Sequence, residues 1–317
     1  MAEYTFTEQA PYEEGFEEVF HDQIVPILQR HEETRKDMKK KATMGMGGAG
    51  VVGVGGIGGG VGLENEFGFA AGGLGAVGVF GVKAYFESKW KAGLGGEVLP
   101  ILCDFLGEME YGQNRISLQA FERLGVVPNF NTSSTEDAVN GSHDGLDWSM
   151  CEAVLKNKSR DSKGRTRTTT VFRGLLFQIK IFGPAPRIFF GKDRGGALNW
   201  LSEKLSGSRR GMEKIDVGSP AFQGIYEVYT SDPQAAMRFI DDNLTAGLME
   251  VARLEMSKKY IACAMEGSTL YLALPRKGDF LGLGSLFRPL HTVENDLHEA
   301  LRDLILPAGV IDKLRGK

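Results

Sequence analysis

The chain has 317 residues, of which 42% are apolar, and a formal net charge of −4 at neutral pH. This length and apolar content suffice for one large or two modest domains with an ordinary hydrophobic core. The acidic balance argues against a nucleic-acid-binding protein. Cys103, Cys151 and Cys263 lie far apart without a C-x-x-C pair, so neither a disulfide framework nor a zinc site is predicted.

The N-terminal region, residues 1–41, is predicted to be a disordered tail of about ten residues followed by an amphipathic helix. Apolar residues recur at helical spacing from residue 16 to residue 28, and lysines accumulate toward residue 41. Pro26 is expected to kink or divide this helix, because proline lacks the amide hydrogen of a helical turn. The acidic and polar start does not have the pattern of a secretory signal.

Residues 42–82 are the most unusual stretch, since 17 of these 41 positions are glycine and the only charges are Glu64 and Glu66. As a helix, the run 42–63 could cross the roughly 30 Å hydrocarbon core of a bilayer, whereas the run 67–82 is somewhat short. We therefore predict a membrane-embedded, glycine-rich helical hairpin over residues 42–86. The first run contributes only about −2 to −4 kcal/mol of insertion free energy, so insertion of the hairpin alone is marginal.

Residue types that favour a membrane interface flank the hairpin on both sides. The predicted interface residues are Lys39, Lys40, Lys41, Lys83, Tyr85 and Trp90. Both flanks are basic and the turn is acidic, so the positive-inside rule places both termini in the cytoplasm. The expected location is the bacterial cytoplasmic membrane.

Glycines spaced four residues apart let helices approach closely, within one chain or between chains. The predicted helix-packing glycines are Gly55, Gly56, Gly58, Gly59, Gly60, Gly62, Gly68 and Gly72. A flexible glycine linker in a soluble protein is the alternative interpretation. The G-x-G-x-x-G match at residues 53–58 is not assigned to nucleotide binding, because such a match is nearly inevitable in so glycine-dense a run.

Residues 87–317 are predicted to form a cytoplasmic α+β domain with an antiparallel or mixed sheet and packed helices. Glycines at positions 93–96 are interpreted as a hinge, followed by a helix over residues 97–110. Ser117 can cap a short helix that ends at Gly125.

Alternating apolar residues predict several strands. They lie near residues 146–150, 171–181, 188–190 and 222–230. Residues 156–167 hold six basic residues and one acid, which is typical of an exposed hairpin loop. A solvated loop is the favoured interpretation, and contact with anionic lipid is the alternative. A short helix is expected at residues 197–205.

The C-terminal part shows three further signals. Asp232 and Pro233 predict the start of a long helix whose buried stripe includes Met237 and extends to Val251. Residues 260–274 are predicted to form a hairpin around a turn at Glu266 and Gly267. Residue 292 is expected to open a last amphipathic helix.

Two segments resemble a known bacterial family, called domain of unknown function 3137. They are residues 171–177 (VFRGLLF) and 222–232 (FQGIYEVYTSD), the latter followed by residues 236–238 (AMR). Residues 32–36 and 260–274 are also similar to it. The resemblance implies a two-span membrane protein with a cytoplasmic α+β domain and no established activity. This chain has glycine where the family's spans are usually rich in leucine and isoleucine, which favours insertion that depends on assembly.

No catalytic, cofactor-binding or metal-binding set stands out, and no cofactor is expected. The five histidines lack a ligand spacing, and the cluster around His143 and Asp144 has the composition of a turn. Our first hypothesis is a non-enzymatic, self-associating scaffold that contacts the lipid bilayer and an unidentified protein partner. The alternatives are an oligomeric membrane-perturbing or pore-forming protein, and an enzyme whose site is assembled from residues remote in sequence.

Overall fold

The computed structural model describes most of the chain. The described residues are 3–61, 67–160, 162, 164–192, 211–254, 262–278 and 280–316, and the side chains of residues 47–78, 80, 182, 192 and 254 lie outside this description. The chain forms two compact units. Unit 1 consists of Met1–Leu106 and Leu281–Asp303, and unit 2 consists of Gly107–Phe280 and Leu304–Lys317. This division falls after Leu106, whereas the predicted hairpin ends at residue 86.

Unit 1 is built from helices. A 3-10 turn (Pro11–Glu13), α1 (Phe16–Val19) and a π turn (Phe20–Ile24) precede the two long helices α2 (Val25–Val61) and α3 (Phe67–Leu106). A second 3-10 turn (Leu290–Thr292) leads into α8 (Glu294–Leu304). The long helices α2 and α3 pack against each other, so the predicted helical hairpin is present in the backbone.

Two helix interruptions are predicted in unit 1, and at neither position does the helical backbone end. Next to Pro26, the second residue of α2, the hydrogen-bond pattern changes from the π turn Phe20–Ile24 to the α-helix, while the backbone at Val25 stays right-handed helical. The predicted hinge at residues 93–96 is wrong, because α3 continues through these glycines to Leu106. Leu94 and Val98 are almost completely buried, and this packing stabilises the helix in spite of its glycines.

The N-terminal segment is ordered from residue 3 onward, so the predicted disorder is wrong for its described part. Phe6 is 2% exposed, and its ring meets that of Phe16 edge-on at 4.8 Å. Glu13, which is also buried, places Oε1 2.7 Å from Nδ1 of His298 and accepts a hydrogen bond from the Gln9 amide. Burial of an aromatic ring and a paired carboxylate offsets the entropy lost by ordering this segment.

The described part of unit 2 contains a seven-stranded antiparallel sheet. Its strands are β1 (Met109–Tyr111), β2 (Thr132–His143), β3 (Leu146–Arg160), β4 (Thr166–Lys192), β5 (Glu213–Ile215), β6 (Tyr226–Thr230) and β7 (Ala262–Pro275). The α+β class predicted from the sequence is confirmed, and the sheet is antiparallel within the described residues.

The long strand β4 is the centre of the sheet, whose order is β1-β2-β3-β4-β6-β5 with β7 also paired to β4. Gly174 of β4 lies opposite Ala153 of β3 on one edge and opposite Pro275 of β7 on the other. Farther along β4, Ile188 lies opposite Thr230 of β6 and Met265 of β7. Strands β3 and β6 therefore share one edge of β4, and β7 occupies the other edge.

Five described helices belong to unit 2. They are α4 (Leu118–Leu124), α5 (Pro220–Gln223), α6 (Pro233–Ala236), α7 (Asp242–Leu254) and α9 (Leu306–Leu314). Helix α4 ends at Gly125, which has the left-handed conformation of a helix C-cap, as predicted. The predicted helix at residues 197–205 lies outside the described residues.

The long helix predicted after Asp232 is instead two helices. Asp232 does cap the first one, since its side chain accepts a hydrogen bond from the Ala235 amide at 3.0 Å. That helix ends at Ala236, and Asp241 caps a new one by accepting from the Leu244 amide at 2.8 Å. Two capping residues nine positions apart therefore divide the segment into two helices. Met237, predicted to be buried in one long helix, lies between them and is 47% exposed.

Residues 262–275 form one strand, so the predicted hairpin in this region is wrong. The whole of β7 pairs with β4, and the register shifts where Gly267 lies opposite Ala185. Gly267 has a φ of +58°, which marks an irregularity within the ladder and not a chain reversal. A strand as long as β4 provides enough paired backbone to keep both halves of β7 extended.

One face of the sheet is covered by α4 and the segment after it. Phe121 of α4 is fully buried, and its ring meets that of Tyr271 edge-on at 5.3 Å. Helices α7 and α9 also pack together in unit 2. There a β-carbon on Gly247 would lie 2.6 Å from the Lys313 carbonyl oxygen, so only glycine allows this approach.

Candidate functional site

The helical hairpin of unit 1 is the candidate functional site, because the predicted site residues lie along it. Helix α2 has 37 residues and α3 has 40. At about 1.5 Å per residue these helices are roughly 55 and 60 Å long. Within the part of the chain that the structure describes, no helix has both the length and the apolarity needed to cross a membrane. The transmembrane detail of the prediction is therefore not confirmed.

The eight predicted helix-packing glycines lie where the structure does not describe side-chain packing or, for Gly62, any backbone element. A close glycine contact is nevertheless seen nearer the base of the hairpin. A β-carbon on Gly45 would lie 3.0 Å from Cγ1 of Val82, and Ala42 on the same helix is fully buried. Small residues at this point let α2 and α3 approach closely.

A buried ion pair fixes the base of α2. Arg35 is 4% exposed, and its Nε and Nη2 atoms each donate to a different carboxylate oxygen of Glu32 at 2.7 Å. The third donor, Nη1, reaches the Leu286 carbonyl oxygen at 2.9 Å. The hydrogen bond from Arg35 is the main cause that lowers the pKa of Glu32 below its ordinary value of 4.5. The contact of Arg35 with Glu32 is therefore bidentate, and the third donor of Arg35 is paired with the Leu286 carbonyl.

Residues 281–293, which we call the strap, connect α2 and α3 to α8 within unit 1. The Leu290 amide donates to Glu32 at 3.1 Å, and the Leu286 amide donates to Glu87 of α3 at 3.3 Å. At the other end of the strap, the Gly284 amide donates to Asp296 of α8 at 2.8 Å. The strap therefore forms hydrogen bonds with both hairpin helices.

Trp90 belongs to the core of unit 1, so its assignment to the membrane interface is wrong. Its side chain is 2% exposed. A β-carbon on Gly284 of the strap would lie 3.0 Å from Cη2 of Trp90 and 3.1 Å from Leu290, and Gly284 has a φ of +62°. The amphipathic character of tryptophan suggested an interface, but the strap covers this position.

The other predicted interface residues remain accessible. Lys39, Lys40, Lys41, Lys83 and Tyr85 are all exposed. Tyr85 is 61% exposed, with its ring edge-on to that of Phe86 at 5.4 Å. The Nζ atom of Lys83 lies 5.3 Å from the ring centre of Phe287, within the range of a cation–π contact with the strap.

A second polar cluster joins the two helices farther toward the N-terminus of α2. Nε2 of His31 lies 2.9 Å from Glu97 of α3, which also pairs with Arg30. The contact with His31 is the largest of the causes that lower the pKa of Glu97 below 4.5. Together with the Glu32–Arg35 pair, this cluster places the fixed charges of the hairpin at its base.

The strap and the hydrogen bonds of Arg35 are not among the predicted features. The i,i+3 spacing of Glu32 and Arg35 is a usable signal for their ion pair, since such side chains are neighbours on a helix. The strap had no comparable signal. Its buried residues Leu281, Leu283 and Leu286 follow neither helical nor strand periodicity.

The histidine cluster of unit 2 is a turn, as predicted. Asp144 and Gly145 have φ values of +51° and +74° between β2 and β3, and such positive values are typical of a type I′ hairpin turn. His143 lies 2.7 Å from Asp312, and Asp144 pairs with Arg315, so the turn is tied to α9. Among the described residues, no group of three or more metal-ligating side chains comes together.

The three cysteines are buried and unpaired with one another. Burial raises the pKa of Cys103 and that of Cys151 to about 12, and the pKa of Cys263 is raised further. These groups are therefore protonated thiols at neutral pH. A nucleophilic cysteine would need the opposite shift.

One family model matches the chain. Residues 170–315 match the family described as "Protein of unknown function (DUF3137)", which confirms the predicted resemblance over this part of the chain. No curated protein matches the chain. The crystal structure of the mycobacterial trehalose monomycolate transport factor A, TtfA, is similar at 11% identity, covering 65% of this chain and 88% of that chain. Its TM-score is 0.29, at which the likeness carries no inference about fold or function.

Proposed function

We propose that this chain, a DUF3137 protein over residues 170–315, is a non-enzymatic scaffold of the bacterial cytoplasmic membrane. The glycine-rich end of the hairpin inserts into lipid, and the hairpins of several copies associate. Unit 2 is then presented on the cytoplasmic side, where it binds a protein partner.

The distribution of charge along the hairpin is the observation that carries this proposal. The base of the hairpin holds the Glu32–Arg35 and His31–Glu97 pairs together with the exposed lysines 39–41. Beyond Lys41 the sequence has no charge until Glu64. Twenty residues of helix cover about 30 Å, which is the thickness of the hydrocarbon core of a bilayer. A charged, fixed base followed by an uncharged run suits a segment that enters lipid from one side.

The glycine content explains why insertion should require assembly. Each glycine adds little apolar area, so the transfer of a single hairpin into lipid is marginal. The close approach of Gly45 to Val82 is an example of what small residues allow between helices. Contacts of this kind between copies would supply packing energy that the side chains alone do not.

Alkaline carbonate extraction of native membranes tests insertion directly. We expect the protein to stay in the membrane pellet, and its recovery in the wash would disprove insertion. A variant with Val51→Asp and Val54→Asp should move to the soluble fraction, because each buried carboxylate costs about 3 kcal/mol at the centre of a helix in lipid. The matched control carries Thr34→Asp and Ser88→Asp, since both residues are exposed near the charged base.

Dye-loaded vesicles distinguish the scaffold from the pore-forming alternative. A scaffold that inserts without opening a channel should leave the vesicles sealed at protein concentrations that give full binding. Release of dye that increases with oligomer formation would instead support a pore. Chemical crosslinking in the same samples measures the size of the oligomer.

A further inference from the structure

Strands β3 and β4 extend beyond the body of the sheet as a two-stranded ribbon, formed by residues 156–160 and 166–170. The side chains just before the ribbon, Leu155 and Phe172, lie opposite each other and are buried. Every ribbon residue from 158 to 160 and from 166 to 170 is exposed. The ribbon is therefore a projection of unit 2 and contributes little to its core.

The two faces of the ribbon differ in charge. The register pairs Lys156 with Thr170, Lys158 with Thr168 and Arg160 with Thr166. Residues directly opposite each other in an antiparallel ladder point to the same side, and successive residues alternate. One face, which we call the basic face, therefore carries three cationic side chains beside three threonine hydroxyls. The opposite face carries Arg167 beside Ser159.

Side-chain hydrogen bonds hold the ribbon in place along its β3 edge. The amide group of Asn131 donates to the Lys158 carbonyl oxygen at 2.9 Å and accepts from the Lys158 amide at 2.8 Å. Asn131, which directly precedes β2, thus supplies with its side chain the pair of hydrogen bonds that a further strand residue would make to Lys158. At the tip, Nε of Arg160 donates to the Gly164 carbonyl oxygen at 2.9 Å. These hydrogen bonds fix the backbone that carries the basic face.

The charge of the ribbon contrasts with that of the whole protein. The described ribbon residues include no carboxylate, and residues 156–167 contain six basic residues against the single acid Asp161. The chain as a whole has a net charge of −4. Charge complementarity therefore requires an anionic partner for this projection.

We propose that the basic face of the ribbon binds the anionic headgroups of a lipid surface. Cationic side chains two residues apart on a strand are separated by about 7 Å, and headgroup phosphates can move laterally to meet them. Protein interfaces depend on a few anchors, often aromatic, in well-packed pockets, and single-stranded nucleic acids stack on aromatic rings. The ribbon residues are lysine, arginine, serine, threonine and asparagine, without an aromatic ring among them. A headgroup layer needs only charge and hydrogen-bond donors.

This lipid contact lies on unit 2 and does not depend on the hairpin. Insertion of the hairpin should occur in neutral bilayers, and any attraction of its exposed lysines 39–41 to anionic lipid is the same in every ribbon variant. Binding through the ribbon should increase with the fraction of anionic lipid and weaken with salt, because exposed charges are screened. The two contributions can therefore be measured separately in one protein.

The test measures binding of the full chain to phosphatidylcholine vesicles with and without phosphatidylglycerol. Each cationic residue near an anionic surface adds about fivefold to the partition coefficient. The variant with Lys156→Gln and Lys158→Gln should therefore bind the anionic vesicles roughly 30-fold more weakly, with unchanged binding to neutral vesicles. The matched control carries Lys180→Gln and Lys277→Gln, two exposed lysines of unit 2 outside the ribbon. It has the same net charge and should bind like the parent protein.

A second variant guards against loss of fold. Lys156→Arg with Lys158→Arg keeps the charge and should retain binding to the anionic vesicles. Equal binding by the Lys156→Gln, Lys158→Gln variant and its matched control would overturn the proposal. So would ribbon-dependent binding that is tighter to polyglutamate or to an oligonucleotide than to anionic vesicles. If the parent protein stays bound to neutral vesicles in all these cases, the hairpin proposal is unaffected.

Discussion

Arg35 and Glu32 lie one turn apart on α2 and form a bidentate ion pair, with two nitrogen–oxygen distances of 2.7 Å. Because Arg35 also donates to the Leu286 carbonyl, the pair joins α2 to the strap. Arg35→Met should lower the free energy of unfolding by about 2–4 kcal/mol, since the Glu32 carboxylate loses its main partner while largely buried. Urea unfolding measures this loss.

Lys36 provides the control for that measurement. Its Nζ atom is 4.0 Å from Glu32, and its side chain is 68% exposed. Lys36→Met should therefore change stability by no more than about 0.5 kcal/mol. Equal effects of the two substitutions would show that Arg35 acts only as one more positive charge near Glu32.

The lowered pKa of Glu32 predicts a dependence of stability on pH. The carboxylate has its ordinary pKa of 4.5 in the unfolded chain and a lower value in the folded one. Its contribution is therefore complete above pH 4.5 and is lost as the pH falls through the folded pKa. Glu32→Gln should flatten this part of the stability profile, which is measured by unfolding at a series of pH values. A profile that keeps its full slope in the variant would contradict the assignment.

Trp90 and Tyr85 give a paired test of which aromatic residue packs in unit 1. Trp90→Ala should cost about 3–5 kcal/mol, because it leaves a cavity beneath Gly284. Tyr85→Ala removes a mostly exposed ring and should change stability by about 0.5 kcal/mol or less. Thermal and urea unfolding of both variants measure the difference. Similar losses would place Trp90 outside the core.

Gly45 and Gly81 test the close approach of α2 and α3. A β-carbon on Gly45 would lie 3.0 Å from Val82, whereas nothing lies within 4 Å of one on Gly81. Gly45→Leu should destabilise unit 1 by about 1–3 kcal/mol through overpacking. Gly81→Leu should be neutral or stabilising by up to about 1 kcal/mol, because leucine favours helix more than glycine does. Helix content followed by circular dichroism during unfolding distinguishes them.

The cysteines predict a simple reactivity pattern. Their burial and raised pKa values should make the native protein almost inert toward a thiol reagent near neutral pH. All three should react at once after unfolding in denaturant. Rapid labelling of one cysteine in the native state would show that its side chain is reached by local opening.

The sequence predicted those parts of the fold whose signals are local. The end of helix α4 at Gly125 and the β2–β3 turn at Asp144 could be recognised, because C-caps and turns depend on a few neighbouring residues. Ser117 lies at the N-cap position of α4, but its side chain makes no capping hydrogen bond. The α+β class followed from the mixture of helical and alternating patterns. Both helices of the hairpin were also expected from the sequence.

The errors occur where distant residues determine the conformation. Local patterns predict a disordered tail at Phe6, but Phe16 and α8 bury this ring. They predict a turn at Gly267, but pairing of β7 with β4 keeps the chain extended through it. They predict a membrane interface at Trp90, but the strap covers its side chain. Neither the strap nor the length of β4 can be read from local patterns.

The register shift between Leu155 and Lys156 leaves Val171 as an extra residue on β4. In the regular ladder that these strands would otherwise form, Arg160 would stand opposite Arg167 and Lys156 opposite Val171. With the shift, Arg160 faces Thr166 and Arg167 faces Ser159, so like charges avoid direct opposition, which is destabilising in a ladder. This unpaired valine thus determines which residues of β4 lie opposite the basic residues of β3 in the ribbon. A single insertion or deletion there would change this pairing without altering any charged residue.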